Sequence, residues 1–441
     1  MRRDAEEMSV LAARSEAPES LLSRAAGLDG ERRLAFPAAC LGGRALSNNR
    51  IPQVGAVAGS KCEATQPDLQ RREMRAMEIE KLASMAIIDC HTHFGGRDLD
   101  AIDTMLEKEA AGGIGEVAVL ITSFPGRANA NAEGLYAKSR HPQKIWLFAG
   151  LDYSAVARDV DHRLTYSLAA QVDRLAAIGC DGIKMLNGKP NYRKSSGIAL
   201  DSVIYDEYLA RLEERGFPVL WHVNDPEEFW DPDAAPEWAR GPGWLYDETF
   251  PTKESIYEEC ERVLEKRPNL KIIFAHFYFL SDDLPRAAAF LDRYPNVHFD
   301  LAPGIEMLHN FAKRPDEARE FFLNYQDRIV FGTDFSPEGL QSRIWVVRNF
   351  LETDEEFHVP TDDSLFWPDH RTMIRGIALP HDALKKIYAD NFRRIVSPAP
   401  RPLDRGRVIE ELNRLTALHD ALGYSPNAPR RVAMRLAEES V

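Results

Sequence analysis

The chain has 441 residues, of which 44% are hydrophobic and 28% are charged, and its formal net charge at pH 7 is -14. This composition is ordinary for a globular enzyme with a large core. The acidic balance argues against a nucleic-acid or anionic-membrane surface, because a polyanion would be repelled. No apolar run approaches the roughly 20 residues that span a bilayer.

Cysteine usage indicates the compartment. The five cysteines are scattered, without the paired spacing of a disulfide framework or a zinc ribbon. The N-terminus lacks the apolar segment of a secretory signal. We therefore expect a cytoplasmic protein whose partner is a small-molecule substrate, not nucleic acid or a membrane. Assembly into a homo-oligomer stays open.

Three segments differ in pattern. Residues 1–80 have no period that could build a buried face, which predicts a disordered or weakly structured extension. Residues 81–400 alternate short β-branched runs with amphipathic stretches, and this alternation is typical of successive βα units in a catalytic domain. Residues 401–441 predict a C-terminal helical extension, with helices over 407–422 and 428–439 packed on the outside or against another subunit.

Eight strands are predicted in the middle segment. A closed (β/α)8 TIM barrel fits this count, and a doubly wound open sheet is the rival. No GxGxxG or GxxxxGKS motif follows a strand, which weakens the rival. The predicted strands are 86–90, 116–121, 145–151, 182–185, 218–222, 271–275, 297–300 and 328–331. The predicted helices between them include 98–112, 165–179, 201–216, 253–266, 283–294 and 315–325, with a closing helix at 381–396.

Two insertions interrupt the alternation. Residues 225–250 contain three of the seven tryptophans, and so aromatic a loop predicts either a lid over the barrel mouth or an oligomer contact. The second insertion, 352–379, includes the Phe-Trp-Pro-Asp-His segment at 366–370.

Metal-ligand residue types recur at the predicted strand ends. His91 and His93 are separated by one residue, so they share a face if the strand persists. All carboxyl strand ends of a barrel meet at one mouth. Neutral imidazoles and a carboxylate are ligands for zinc, and also for manganese, iron or cobalt. The further strand-end residues are Lys184, His222, His276 and Asp334, on strands four, five, six and eight.

This ordered set resembles the amidohydrolase superfamily, specifically the branch called amidohydrolase family 2, which contains both hydrolases and decarboxylases. The resemblance covers about residues 86–397 and includes a closing-helix sequence at 385–395. It implies that the metal is held by His91, His93, His222 and Asp334. It further implies that His276 is a second ligand or a general acid/base.

Lys184 is open to two interpretations. In binuclear relatives, a lysine at this place is carboxylated and bridges two metals, which requires a depressed pKa. In the other interpretation, Lys184 is an ammonium group that pairs with Asp334 or with a substrate carboxylate. We favour one divalent ion, zinc before manganese, iron or cobalt, and expect two ions if Lys184 is carboxylated.

Smaller signals surround this set. Lys189, Arg193 and Lys194 either attract an anionic substrate or form a solvated charge run. Asn224 and Asp225 either orient a metal ligand or start the loop turn.

The predicted activity is hydrolysis of a lactone, ester or amide. Water activated by the metal would attack the carbonyl, with Asp334 moving the proton and His276 stabilising the oxyanion or protonating the leaving group; Lys184 completes the catalytic set. The alternative on the same ligands is non-oxidative decarboxylation of an aromatic or unsaturated acid, a carboxy-lyase reaction. It would need a cationic group near the substrate carboxylate. A non-catalytic barrel that binds a metabolite or partner is a third hypothesis.

Overall fold

The computed structural model describes residues 85–96, 98–123, 129–153, 168–240, 244–360, 373–423 and 427–438. The predicted extension over 1–80 and the 366–370 segment lie outside these ranges. In the described part, eight parallel strands form one sheet in which each strand pairs with the next along the chain. The strands are β1 Ile88–Thr92, β2 Glu116–Leu120, β3 Ile145–Gly150, β4 Gly182–Gly188, β5 Val219–Val223, β6 Ile272–Phe274, β7 Val297–Asp300 and β8 Ile329–Val330.

The first and last strands also meet. Thr92 forms a parallel bridge with Phe335, and the Cys90 amide donates to the Phe331 carbonyl at 3.0 Å. The His93 amide donates to the Phe335 carbonyl at 2.7 Å. The sheet is therefore a nearly closed barrel, which confirms the (β/α)8 prediction over the doubly wound rival.

Helices connect the strands and continue after β8. Helix α5 shows how the sequence sets its bounds: the Ser202 hydroxyl accepts from the Ile204 amide, and Gly216 ends the helix at φ 57°. Barrel helices are α1 Ala101–Ala111, α2 Asn131–Arg140, α3 Leu168–Ile178, α4 Pro190–Ser196, α5 Val203–Arg215, α6 Lys253–Lys266, α7 Leu284–Arg293, α8 Met307–Lys313, α9 Pro315–Asn324 and α10 Gln341–Glu352. The closing and terminal helices are α11 His381–Lys385, α12 Asn391–Ile395, α13 Arg405–Leu422 and α14 Ala428–Glu438, with a π-helical turn, Lys386–Asp390, between α11 and α12.

The core has two layers, and β3 contributes to both. Its alternate residues Trp146 and Phe148 belong to the cluster inside the barrel, whereas the residues between them pack outward under the helices. Phe392 of the closing helix enters the inner cluster, with ring centroids 5.2 Å from Trp146 and 6.1 Å from Phe148. The closing helix thus packs into the barrel away from the carboxyl strand ends.

A β-bulge near the carboxyl end of β1 turns its side chains. Asp89 pairs with Val117, but Thr92 pairs with Val119, so β1 has one more residue than β2 in this interval. Strict alternation would direct Cys90 inward and His91 outward. The extra residue lets both side chains lie inside, where Cys90 joins the inner cluster and His91 reaches residues of β4 and β7.

The insertion after β8 and the chain terminus complete the fold. Residues 352–379 contribute an antiparallel pair, β9 Glu356–His358 and β10 Met373–Arg375. The terminal helices pack on the outside of their own barrel, where the Asp404 amide donates to the Ile178 carbonyl at 2.9 Å and Arg174 pairs with Glu411 at 2.8 Å. Among the described helices, none combines the length and apolar character needed to cross a bilayer.

Candidate active site

Three predicted ligands converge where β1 and β8 end. One ligand atom from each of His91, His93 and Asp334 lies within 4.8 Å of the others. The Asp334 Oδ1 atom is 3.1 Å from His93 Nε2 and 3.6 Å from His91 Nε2. His91 is enclosed at 1% side-chain exposure, whereas His93 and Asp334 are 30% and 26% exposed. The group therefore has one face in the barrel and one face toward the mouth.

Hydrogen bonds orient both histidines of the pair. His91 Nδ1 donates to Asp300 Oδ2 at 2.7 Å, and His93 Nδ1 donates to the Leu120 carbonyl at 3.0 Å. Each Nε2 is left directed at Asp334. Burial, and then the Lys184 ammonium, lower the pKa of His91 well below its usual value. The result is a neutral imidazole, which is the form that binds a metal.

Asp334 is held as a carboxylate in a sparsely populated backbone conformation. Its φ is 56°, in the left-handed region. Burial alone would raise its pKa, but the hydrogen bond with His93, together with the neighbouring imidazoles, outweighs burial and holds the pKa well below its usual range. The site thus has an ionised carboxylate between two imidazoles.

His276 opens a left-handed turn after β6. Residues 276–279 have φ values of 56°, 55°, 56° and 52°. His276 Nδ1 donates to the Ala302 carbonyl at 3.0 Å, and its ring centroid is 4.9 Å from that of His91. Burial, and then His222, lower the pKa of His276 well below its usual value. The structure therefore brings a third imidazole, in its neutral form, to the cluster.

His222 is in the same cluster but has a different hydrogen-bond partner. Its ring centroid is 4.9 Å from that of His276, while its Nε2 donates to Asp225 Oδ1 at 3.1 Å. Burial, and then the Lys189 ammonium, lower its pKa to about 4. His222 lies outside the group of three atoms that converge within 4.8 Å, and its role as a ligand stays a prediction.

Lys184 projects from the middle of β4 into the barrel. Its Nζ is 3.3 Å from His91 Nε2, and the residue is 1% exposed. Burial lowers the pKa of Lys184 to about 8, although the carboxylates of Asp300 and Asp334 act in the opposite direction. Lys184 therefore places a buried amine, mostly protonated at neutral pH, beside the three converging ligands.

Asp300 is a site residue that the sequence reasoning missed. It ends β7, and its carboxylate accepts from His91 Nδ1 at 2.7 Å and from the His276 amide at 2.7 Å. It thereby orients two of the predicted histidines at once. A signal was present, because the last residue of the predicted seventh strand is an aspartate, but its partners lie in distant parts of the chain.

The basic residues after β4 are already paired. Lys189 binds Asp225 at 2.5 Å, Arg193 binds Glu259 at 2.9 Å, and Lys194 Nζ lies 3.6 Å from the Phe250 ring centroid. Asn224 has φ 69°, and its side-chain amide donates to the Lys253 carbonyl at 3.0 Å. These contacts favour structural pairing over capture of an anionic substrate for the three basic residues.

The donor set fits a divalent metal. Two imidazole nitrogens and an ionised carboxylate oxygen, with outer hydrogen bonds that select the ring tautomer, are what zinc, manganese, iron and cobalt sites in proteins use. A (β/α)8 barrel with this group at its carboxyl strand ends defines a class of metal-dependent barrel enzymes. Within that class, the chain belongs to the amidohydrolase family, whose model matches residues 88–397.

Comparison with curated proteins gave no match, whereas several solved structures are similar. A 2,6-dihydroxybenzoate decarboxylase from Rhizobium is 16% identical, with 70% of this chain and 98% of that chain covered and a TM-score of 0.44. A dihydroxybenzoic acid decarboxylase from a Polaromonas species, with bound manganese and 2-nitroresorcinol, is 15% identical, with 71% and 97% covered and a TM-score of 0.42. A TIM-barrel protein from Bordetella bronchiseptica is 15% identical, with 70% and 98% covered and a TM-score of 0.44. At such identities, substrate and reaction do not transfer to this chain.

Proposed function

We propose that this member of the amidohydrolase family is a metal-dependent decarboxylase of an aromatic or unsaturated carboxylic acid. The observation that carries the proposal is the position of Lys184, whose Nζ lies 3.3 Å from His91 Nε2 inside the barrel. A decarboxylase needs a cationic group beside the substrate carboxylate, and a buried ammonium is such a group. This reverses the order of the two activities expected from the sequence.

The surroundings suit a flat, unsaturated substrate. The ring centroid of Phe279 is 5.4 Å from that of His222 and 5.3 Å from that of His276. Together with the imidazoles, this ring makes a wall of flat groups next to the charged cluster. An aromatic acid could stack on such a wall while its carboxylate points toward Lys184.

The residues divide the work as follows. His91, His93 and Asp334, with His222 as the fourth predicted ligand, would hold a divalent ion, which would supply positive charge next to the substrate oxygens. Lys184 pairs with the substrate carboxylate, and the enclosed side of the cluster keeps water away. The bond to the carboxylate carbon breaks and carbon dioxide leaves. The electron pair stays on the substrate carbon, which takes a proton that Asp334 first accepts from solvent at its exposed face, with His276 positioned to stabilise an adjacent oxygen.

Hydrolysis of a lactone, ester or amide is the second candidate. The specific observation in its favour is the exposure of His93 and Asp334, at 30% and 26% of their side chains. A solvent molecule can reach that face of the ligand group, and Asp334 could take its proton. In this reaction Lys184 would orient the carbonyl substrate, and no carbon dioxide would be released.

An activity panel separates the two candidates. The metal-loaded protein would be assayed for carbon dioxide release from hydroxybenzoates and for hydrolysis of lactones and amides. We expect carbon dioxide release, a loss of about 100-fold or more in Lys184→Met because one charge contact to the reacting group is removed, and loss in His222→Ala. Lys313→Met, outside the site, is the control. Hydrolysis without carbon dioxide release would support the second candidate, and neither activity in a metal-loaded protein would refute both.

Metal content tests the state of Lys184. We propose one ion per chain, zinc before manganese, iron or cobalt, since the Lys184 amine is mostly protonated at neutral pH with a pKa of about 8. Elemental analysis of wild type and Lys184→Ala would measure the stoichiometry. If wild type held two ions per chain and Lys184→Ala held fewer, the lysine would instead be carboxylated. A small-molecule substrate and a cytoplasmic location remain part of the proposal.

A further inference from the structure

Asp225 is a buried carboxylate that gathers donors from three parts of the chain. It is 2% exposed. Lys189 Nζ donates to its two oxygens at 2.5 and 2.6 Å, His222 Nε2 donates at 3.1 Å, and the Tyr246 hydroxyl also donates to it. The segment after β4, the end of β5 and the aromatic insertion therefore meet at one side chain.

The aromatic insertion packs on this ion pair. The Trp244 ring centroid lies 4.5 Å from Lys189 Nζ. Tyr246 is flanked by Trp230 at 4.7 Å and Phe250 at 4.9 Å between ring centroids, and its amide donates to the Phe229 carbonyl at 2.8 Å. The described part of the 225–250 loop is thus packed against its own barrel. Asp225 accepts hydrogen bonds from both Tyr246 of this loop and His222, so it links the loop to His222.

We propose that Asp225 is the positioning residue of His222. Lys189 and Tyr246 hold Asp225 in place, and Trp244 packs over Lys189. Through these contacts the aromatic loop controls metal binding at the barrel mouth. This inference rests on the proposed function, because it assumes that the His222 cluster binds a metal. In this proposal the aromatic loop influences the reaction centre through a single carboxylate, that of Asp225.

Hydrogen bonding gives the first physical reason. In a neutral imidazole one ring nitrogen carries the proton and the other carries a lone pair. The group that accepts a hydrogen bond from the ring determines which nitrogen is protonated. In His91, His93 and His276 an oxygen accepts a hydrogen bond from Nδ1, which fixes the tautomer with the proton on Nδ1. In His222 the acceptor is Asp225, and it fixes the tautomer with the proton on Nε2. Without that acceptor, the tautomer and rotation of the His222 ring are free to change.

Charge gives the second reason. Lys189 is 9% exposed at its side chain, and Asp225 is the carboxylate it binds. Loss of the Asp225 charge would leave a buried ammonium beside His222 with no other carboxylate paired to it in the described part of the chain. A divalent cation would then bind against that positive charge, so its affinity must fall.

The rival explanation is that Asp225 is merely part of a buried ion pair that stabilises the fold. The chain offers a matched pair for comparison, Lys138 of α2 with Asp181, which directly precedes β4, and both side chains are fully buried. Asp181 also accepts from the Leu147 amide at 2.6 Å and the Arg401 amide at 2.8 Å. Substitution of Asp181 should therefore lower the free energy of unfolding and leave the histidine cluster unchanged.

The experiment compares two pairs of variants of the full chain. Asp225→Asn and Tyr246→Phe are set against Asp181→Asn and Tyr325→Phe, the last of which removes a hydroxyl that donates to Asp292 at 3.1 Å on the surface. The readouts are the dissociation constant for zinc, measured by competition with a chromophoric chelator, and the visible spectrum of the cobalt-loaded protein. Neither readout depends on a substrate.

We expect Asp225→Asn to bind zinc about 10- to 100-fold more weakly, as loss of an outer partner of a metal-bound histidine does, and Tyr246→Phe to bind it a few-fold more weakly. Both should change the cobalt spectrum, and both controls should leave it as in wild type. Equal affinity of Asp225→Asn and wild type, or equal weakening by Asp181→Asn, would overturn the inference while leaving the proposed function intact. If Asp225→Asn does not fold, Tyr246→Phe decides alone. A wild-type protein that binds no metal would overturn both.

Discussion

Several site residues adopt backbone conformations that L-amino acids rarely occupy. Asn224, His276 and Asp334 have φ values of 69°, 56° and 56°, and each left-handed non-glycine residue costs about 1–2 kcal/mol. His276 and Asp334 belong to the histidine cluster, and Asn224 follows His222 by two residues in the chain. Strain of this kind persists where the surrounding packing imposes it, and it aims a side chain that a regular strand end would direct elsewhere.

Ala378 has the same kind of backbone but lies in the insertion after β8. Its φ is 41°, and its amide donates to the Thr353 carbonyl at 2.8 Å. We expect Ala378→Gly to raise the free energy of unfolding by about 0.5–1 kcal/mol, because glycine adopts positive φ without a steric cost. Urea denaturation measures this. The control, Ala110→Gly at an exposed position of α1, should lower it by about 1 kcal/mol; destabilisation by both would contradict the argument.

Glu109 is a buried acid, 0% exposed, and neither carboxylate oxygen has a hydrogen-bond partner among the described residues. Burial, and then the nearby Asp89 carboxylate, raise its pKa from 4.5 to about 10. The folded state therefore keeps a proton that the unfolded state releases above about pH 4.5. Stability from this group is present below that pH and is lost as the pH rises toward 10.

Glu109→Gln should remove this dependence. We expect the variant to gain on the order of 4 kcal/mol over wild type between pH 5 and pH 8, since each pH unit in this window costs wild type about 1.4 kcal/mol. Urea denaturation at the two pH values is the measurement. Glu107→Gln, on the same helix but exposed, serves as the control. A pH dependence identical in Glu109→Gln and wild type would show that Glu109 is ionised in the folded state.

At the scale of elements, the left-handed turn after β6 carries His276. Packing holds the turn: Phe277 lies 5.1 Å from Phe299 and 5.0 Å from Phe311 between ring centroids. A hydrogen bond holds it as well, because the Tyr257 hydroxyl of α6 donates to the Tyr278 carbonyl at 2.9 Å. The core thus offsets the backbone cost of a turn that serves the site.

Tyr257→Phe tests this support. The substitution leaves the buried Tyr278 carbonyl without its donor, so we expect the free energy of unfolding to fall by about 1–3 kcal/mol. The turn should also move His276 and lower kcat more than it changes KM. Chemical denaturation and steady-state kinetics measure the two effects. Tyr294→Phe, whose hydroxyl is 3.4 Å from Glu261, is the control; equal effects of both substitutions would mean that the turn does not depend on Tyr257.

At the scale of the whole molecule, the candidate ligands join the two ends of the barrel. His91 and His93 belong to the first strand and its end, and Asp334 follows the last strand. A metal bound by all three would therefore cross-link β1 to the segment after β8, and its binding free energy would add to the stability of the closed barrel.

Metal removal tests that link. At a metal concentration of about 100 times Kd, binding adds about 2.7 kcal/mol to the stability, so we expect a chelator to lower Tm by about 5 °C. Asp334→Asn should show a much smaller change with chelator. The exposed variant Asp316→Asn should respond like wild type. A Tm that is insensitive to chelator in a protein shown to carry metal would contradict the cross-link.

Some elements were predictable and others were not, for identifiable reasons. Helix α6, Lys253–Lys266, was predicted to the residue because it has one apolar face and a capping threonine. Helix α2, Asn131–Arg140, was missed because eight consecutive residues of it are buried, which removes the amphipathic period. Helices α8 and α10 were also not among the predicted helices. The β9–β10 pair was missed because the second insertion has no repeating pattern.

The sequence by itself determined the barrel and the identity of the residues at its mouth. Strand periodicity, the order of the βα units and the HxH spacing are local properties, and the carboxyl ends of parallel strands in a barrel must meet. Only the tertiary structure decided how those residues are set. Asp300 is 209 positions from His91, Asp225 is shared by Lys189, His222 and Tyr246, and Lys184 lies beside His91. Such contacts depend on distances between strands that no local pattern encodes, and they place decarboxylation before hydrolysis in the proposal.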